Sequence, residues 1–210
     1  MSAYSKNELE LRKKICEVGQ KLYKYRYIVA SDGNISVRLD DKYFLITPSG
    51  MCKGELSIDE IIKMDFEGNV VNQTDLKPSI EYRLHLFSLK ENNKINCIIH
   101  AHPPYSTICA VSGISLDGYI LPETFEFGNV PLVGFSPPGS LELAKNVCDK
   151  LKLTNAVLLA NHGLVVAGCN IKEAYYNLER AEFSFMVLYF AKLYGRVNYI
   201  SDHEIMQLNK

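Results

Sequence analysis

The chain has 210 residues, 47% of them hydrophobic, and its 23 Lys and Arg nearly balance 24 Asp and Glu for a formal net charge of −1. That length buries a sizeable core without cross-links, and the charge balance excludes a basic nucleic-acid surface or an acidic disordered tail. No apolar run approaches the roughly 20 residues that span a bilayer, and residues 1–12 are too polar for a signal peptide, so a cytoplasmic protein with no membrane or nucleic-acid partner is expected.

Residues 6–28 read as an opening helix, with Leu9, Ile15, Val18 and Leu22 at helical spacing among charges. Ser31-Asp32-Gly33 breaks the pattern. Asn34-Ile35-Ser36-Val37-Arg38 and Tyr43-Phe44-Leu45-Ile46-Thr47 flank an Asp40-Asp41 turn as a β-hairpin, ended by Pro48-Ser49-Gly50. A short helical turn follows Ser57. Met64-Asp65 and Val70-Val71 predict a second hairpin around Glu67-Gly68-Asn69.

Pro78-Ser79 opens a helix to about Glu91, with Ser79 as its N-cap. Cys97-Ile98-Ile99 is a short buried strand ending at His100, and Pro103-Pro104 starts a helix that stops near Gly113. Val130–Val133 forms a strand, Ser140 caps a helix to about Leu151, and Ala156–Ala160 and Leu164–Ala167 are strands joined at Asn161-His162-Gly163. Gly163 supplies the freedom for the tight turn. The last helix runs from Ile171 to about Tyr194. No repeat or linker divides the chain, which implies one domain over residues 1–210. Hairpins outnumber βαβ units, so the expected fold class is α/β, a three-layer α/β/α arrangement around a mostly antiparallel, mixed sheet.

The six cysteines are scattered without a CxxC pair, as expected of free thiols in a reducing compartment. The strongest chemical signal is His100-Ala101-His102. In an extended segment, residues i and i+2 project from one face, so two imidazoles can reach a single ion. A catalytic zinc commonly takes three protein ligands and keeps one position open. The third ligand comes from elsewhere among five histidines. His162 sits at a turn after a buried strand, His85 lies one helical turn beyond Glu81, and His203 lies in the polar tail. Taken alone, the paired histidines also fit a hydrogen-bonding role, and His162 also fits an ordinary turn residue. His85 reads as structural or as orienting Glu81, and His203 as solvated. Glu81, near a helix start, either complements the helix dipole or exchanges a proton beside a metal. Ser31-Asp32-Gly33-Asn34, Thr47-Pro48-Ser49-Gly50 and Ser79 offer N–H groups and hydroxyls of the kind that bind phosphate oxygens. No Walker loop or strand–GxGxxG–helix is present, which argues against a nucleotide.

Gly33-Asn34-Ile35-Ser36-Val37-Arg38, Leu45-Ile46-Thr47-Pro48-Ser49-Gly50, Pro78-Ser79-Ile80-Glu81, His100-Ala101-His102 and Asn161-His162-Gly163, in this order, resemble the class II aldolase/adducin family across nearly the whole chain. The likeness is nearest to its branch acting on ketose 1-phosphates such as L-fuculose 1-phosphate. The resemblance implies one Zn2+ per subunit on His100, His102 and His162, with Glu81 approaching the metal in the free enzyme and serving as acid/base. It implies a phosphate cradle of Gly33, Asn34, Ser49, Gly50 and Ser79, with the backbone N–H of Ile80. It further implies a homotetramer with active sites at subunit interfaces, and retro-aldol cleavage to dihydroxyacetone phosphate and an aldehyde such as L-lactaldehyde.

Two features depart from the family pattern. Ile80 replaces a second Ser, removing a hydroxyl whose hydrogen bond to a charged group would be worth roughly 1.5–3 kcal/mol. The second is the segment Gly118-Tyr119-Ile120-Leu121-Pro122-Glu123, where the resemblance makes Tyr119 either the match to a tyrosine that handles the aldehyde oxygen or a structural residue, and where the aldolase's further tyrosine on a C-terminal tail is not expected in this chain. Within the family, pentulose-phosphate 4-epimerases and sugar-phosphate dehydratases are the competing readings, and the epimerases usually carry Asp where this chain has Glu81. A non-catalytic adducin-like scaffold would have lost its metal ligands. A zinc hydrolase would leave the ordered motifs unexplained.

Overall fold

A computed structural model describes residues 4–126 and 128–207. Its centre is a seven-stranded sheet of β1 (Asn34–Arg38), β2 (Tyr43–Ile46), β3 (Ile62–Asp65), β4 (Cys97–Ala101), β5 (Leu132–Val133), β6 (Ala156–Leu159) and β7 (Gly163–Gly168). The spatial order is β3-β2-β1-β4-β7-β6-β5. All neighbours are antiparallel except β5 with β6, so the sheet is mixed.

Helices cover both faces, and the period-two alternation of the strands decides which residues meet them. Ile35, Val37, Cys97, Ile99, Leu158, Leu164 and Val166 pack against α1 (Lys6–Lys24), α3 (Pro104–Val111) and α5 (Ile171–Leu193). Phe44, Ile46, Ile98, Val157, Leu159 and Val165 pack against α2 (Tyr82–Glu91) and α4 (Leu141–Leu151). A short α6 (Asp202–Ile205) follows near the C-terminus. The result is the expected α/β/α sandwich.

Several boundaries differ from the sequence reading. α1 ends at Lys24 rather than near residue 28, because Arg26 turns into the left-handed region (φ 58°). The second predicted hairpin is reduced to a bridge between Met64 and Val70, and the strand from Val130 is shortened to Leu132–Val133. Ser140 caps α4 as expected, its Oγ accepting from the Leu143 N–H. The described cysteines are unpaired thiols. No helix among the described residues is long and apolar enough to cross a membrane.

The larger difference lies at residues 77–79. Ser49 N–H donates to the Lys77 carbonyl at 2.9 Å and Ser79 N–H to the Thr47 carbonyl at 3.2 Å, around a Pro48–Pro78 bridge. These residues are extended, so α2 cannot begin until Tyr82. Its N-cap is Glu81, not Ser79. The Ser79 hydroxyl instead accepts from the Glu81 N–H at 3.3 Å. Glu81 makes no side-chain capping bond, which leaves its carboxylate free to turn towards the sheet.

Candidate metal centre

His100 occupies the middle strand β4, flanked by β1 and β7, and pairs in register with Asn34 on one side and Val165 on the other. His102 follows the end of that strand, where its N–H donates to the Tyr27 carbonyl at 2.8 Å. His162 is carried by the β6–β7 turn. There the left-handed residue is Asn161 (φ 56°), not Gly163. Gly163 is needed for space: a Cβ at that position would sit 2.6 Å from the Ala101 carbonyl oxygen and 2.6 Å from His102 Cδ2.

The three rings converge through their Nε2 atoms. His100 Nε2 lies 3.1 Å from His102 Nε2 and 3.2 Å from His162 Nε2. The Nδ1–H of His100 donates to the Leu164 carbonyl at 3.0 Å, which leaves the lone pair on Nε2 facing the other rings. Burial lowers the pKa of His100 to about 3 and of His102 to about 4, with the neighbouring imidazoles adding to the effect. Both are therefore neutral at physiological pH. Glu81 reaches the same point from the opposite side, with Oε2 3.4 Å from His100 Nε2 and Oε1 3.8 Å from His162 Nε2. It is only 6% exposed. Its Oε1 is buried without a hydrogen-bond partner among the described residues.

Where imidazole lone pairs face one another beside a carboxylate, a cation held between them relieves the repulsion. Two nitrogens each about 2.0 Å from a tetrahedral zinc are roughly 3.3 Å apart, close to the separations seen here. The donor set therefore fits a divalent cation such as zinc, and His100, His102 and His162 are the one group found among the described residues that could hold a metal ion. His203 lies in α6, facing Gln207.

Behind Glu81 is a buried polar file. Asn34 Nδ2 donates to Glu81 Oε2 at 2.9 Å, Asn34 Oδ1 meets His85 Nε2, and His85 Nδ1 lies 2.7 Å from Ser36 Oγ. Burial lowers the His85 pKa to about 3. His85 thus reaches Glu81 through Asn34, not directly across a helical turn.

Of the residues expected around a phosphate, Ser49 and Ser79 are joined by the ladder at residues 47–49 and 77–79, with Gly50 and Ile80 one residue beyond each. Thr47 Oγ1 accepts from the Ile35 N–H at 3.1 Å, which ties the ladder to the head of β1 beside Gly33-Asn34. Gly33 (φ 70°) approaches both Ile28 and the His100 carbonyl so closely that a Cβ would clash. The Ile80 side chain is 63% exposed. The Tyr119 carbonyl accepts from the Ile200 N–H at 2.8 Å and its ring packs on Phe125.

Sequence reasoning missed three supporting residues. Buried Lys53 donates through Nζ to the carbonyls of Ser31 and Met51, linking the two glycine loops. Gly139 presses against the Ile80 carbonyl, which a Cβ would approach to 2.7 Å. Glu182 caps the start of α3 just past the paired histidines. Only Gly139 carried a local signal, in the turn Pro137-Pro138-Gly139.

Residues 13–189 match the sequence family described as class II aldolase and adducin N-terminal domain. The chain is 32% identical over 206 residues to a 3-oxo-tetronate 4-phosphate decarboxylase of Haemophilus influenzae, covering 96% of this chain and 97% of that protein. It is 35% identical over 172 residues to an L-fuculose phosphate aldolase of Methanocaldococcus jannaschii, covering 81% and 91%. A solved L-fuculose 1-phosphate aldolase superposes with a TM-score of 0.90 at 29% identity, over 98% of this chain and 95% of that one. The chain belongs to the class II aldolase/adducin family.

Proposed function

We propose that the protein is a zinc-dependent lyase. It breaks the carbon–carbon bond one carbon removed from the ketone of a phosphorylated sugar derivative and releases dihydroxyacetone phosphate. The observation that carries this reading is the convergence of three histidine Nε2 atoms with a free, buried carboxylate oxygen, Glu81 Oε1.

His100, His102 and His162 would hold the ion, which supplies Lewis acidity to offset the charge that develops on the ketone oxygen as the bond breaks. Glu81 Oε1 exchanges the proton at the carbon left behind. The loops at Gly33-Asn34, Ser49-Gly50 and Ser79-Ile80 bind the phosphate through N–H groups and hydroxyls, holding the substrate far from the reacting bond. The assembly proposed with this reading is a homotetramer, and the exposed Ile108 and Val111, which line an apolar depression with His102, suit coverage by a neighbouring subunit.

The first substrate reading is decarboxylation of a 3-oxo-tetronate 4-phosphate. The C1–C2 electron pair moves towards the C3 ketone, carbon dioxide leaves, and Glu81, recharged from water, protonates C2. Carbon dioxide departs without needing a proton relay, which suits a site whose candidate tyrosine, Tyr119, is tied to Phe125 and Ile200. The near end-to-end match to the Haemophilus influenzae decarboxylase supports it. The second reading is aldol cleavage of L-fuculose 1-phosphate, favoured by the TM-score of 0.90 to an aldolase of that name. There Tyr119 would serve the aldehyde oxygen.

Both reactions yield dihydroxyacetone phosphate, so the test offers each substrate to the zinc-loaded protein and follows that product with and without a chelator. Chelator-sensitive product from the oxo-acid alone establishes the decarboxylase, and product from the ketose phosphate establishes the aldolase. Product from neither overturns the proposal.

A further inference from the structure

Ser36, His85 and Asn34 are all buried and form a file ending on Glu81. The chemistry of these groups permits one arrangement of protons along it. Asn34 presents its NH2 to Glu81 Oε2 and so its carbonyl to His85. His85 must then carry its proton on Nε2 and accept at Nδ1, and the Ser36 hydroxyl must donate there. Reversing any one group places two acceptors or two donors face to face in a dry environment.

The file occupies Glu81 Oε2, which also lies 3.4 Å from His100 Nε2, and leaves Oε1, 3.8 Å from His162 Nε2, as the oxygen without a hydrogen-bond partner among the described residues. We infer that Ser36, His85 and Asn34 are positioning residues that pin Oε2 and thereby reserve Oε1 of Glu81 as the atom that exchanges the substrate proton. A proton arriving at the carboxylate goes to the unoccupied oxygen, on the side where the carbon must lie. The Asn34 side chain is thus committed to Glu81 and His85. The inference rests on the acid/base reading of Glu81.

The test isolates proton transfer from bond cleavage by following the exchange of a dihydroxyacetone phosphate methylene proton with solvent deuterium by NMR. His85→Phe, His85→Gln, Ser36→Ala and Glu81→Gln are compared as zinc-loaded proteins, with metal content and the substrate KM measured alongside. His85→Phe is expected to keep its zinc and a KM within about twofold, while exchange and kcat fall about 10- to 100-fold. His85→Gln, which retains a donor towards Asn34 and an acceptor towards Ser36, is expected to recover most of that loss. Ser36→Ala is expected to lower exchange several-fold and keeps the inference testable if His85→Phe does not fold. If Glu81→Gln abolishes exchange while His85→Phe and Ser36→Ala exchange at the wild-type rate, the positioning file is wrong and Glu81 stands. If Glu81→Gln exchanges normally, the acid/base reading falls first.

Discussion

Asp32 Oδ2 lies 3.8 Å from His102 Nδ1, the ring nitrogen that does not face the other two histidines. A carboxylate there favours a proton on Nδ1 and a lone pair on Nε2, and makes the ring a better ligand. Asp32→Ala is expected to weaken zinc about 10-fold, read by competition with a chromophoric chelator, while the fold and its thermal midpoint stay near wild type.

The proposed ligand trio predicts a sharper split. Substituting His102 or His162 by Ala removes one of three nitrogens and is expected to leave the purified protein with little bound zinc by elemental analysis. His203→Ala lies outside the trio and is expected to retain wild-type zinc. Equal zinc in all three variants would remove the metal centre from consideration.

Gly163→Ala tests the space argument. The added methyl would overlap the Ala101 carbonyl and the His102 ring, each 2.6 Å away. Overpacking of this kind costs about 1–3 kcal/mol, so a lower denaturation midpoint is expected together with weaker zinc binding.

Glu182 accepts from the N–H groups of Tyr105 and Ser106, both at 2.8 Å, and from the Ser106 hydroxyl at 2.6 Å. A carboxylate from α5 thus satisfies the first turn of α3. Glu182→Ala strands those donors and is expected to cost about 1–3 kcal/mol in chemical denaturation.

The pH dependence of the zinc-free protein follows from burial. His85, His100 and His102 have folded pKa values lowered to about 3, 3 and 4, against about 6.5 in an unfolded chain. The unfolded state therefore takes up protons first. Stability is complete above about pH 6.5 and declines as pH falls towards 3, by at most about 1.4 kcal/mol per histidine per pH unit. Denaturant midpoints at pH 7.5, 6 and 5 should fall in that order, and a midpoint that rises with acid would contradict the buried neutral histidines.

Much of this was legible in the sequence where local chemistry dominates. Ser140 caps α4, and the alternation of Cys97-Ile98-Ile99 places a two-faced central strand. Illegible were features set by contacts distant in the chain. Ser79 satisfies every local rule for a cap, but Thr47 and Ser49 pull its segment into extended pairing. Gly163 looks like a turn glycine until β4 is laid beside it and His102 claims the space of its side chain. Asn34 sits beside a glycine at the head of β1, and only the register of β1 on β4 brings it under Glu81.

The position of His100 on the middle strand also has a kinetic consequence. Its partner His162 is 62 residues away, and the two meet only after β7 has docked against β4. Until then the chain offers an ion just the adjacent pair His100 and His102, a weak two-point grip. Tight capture of zinc should therefore report the completion of the sheet late in folding. A chain still lacking β6 and β7 would release the ion readily.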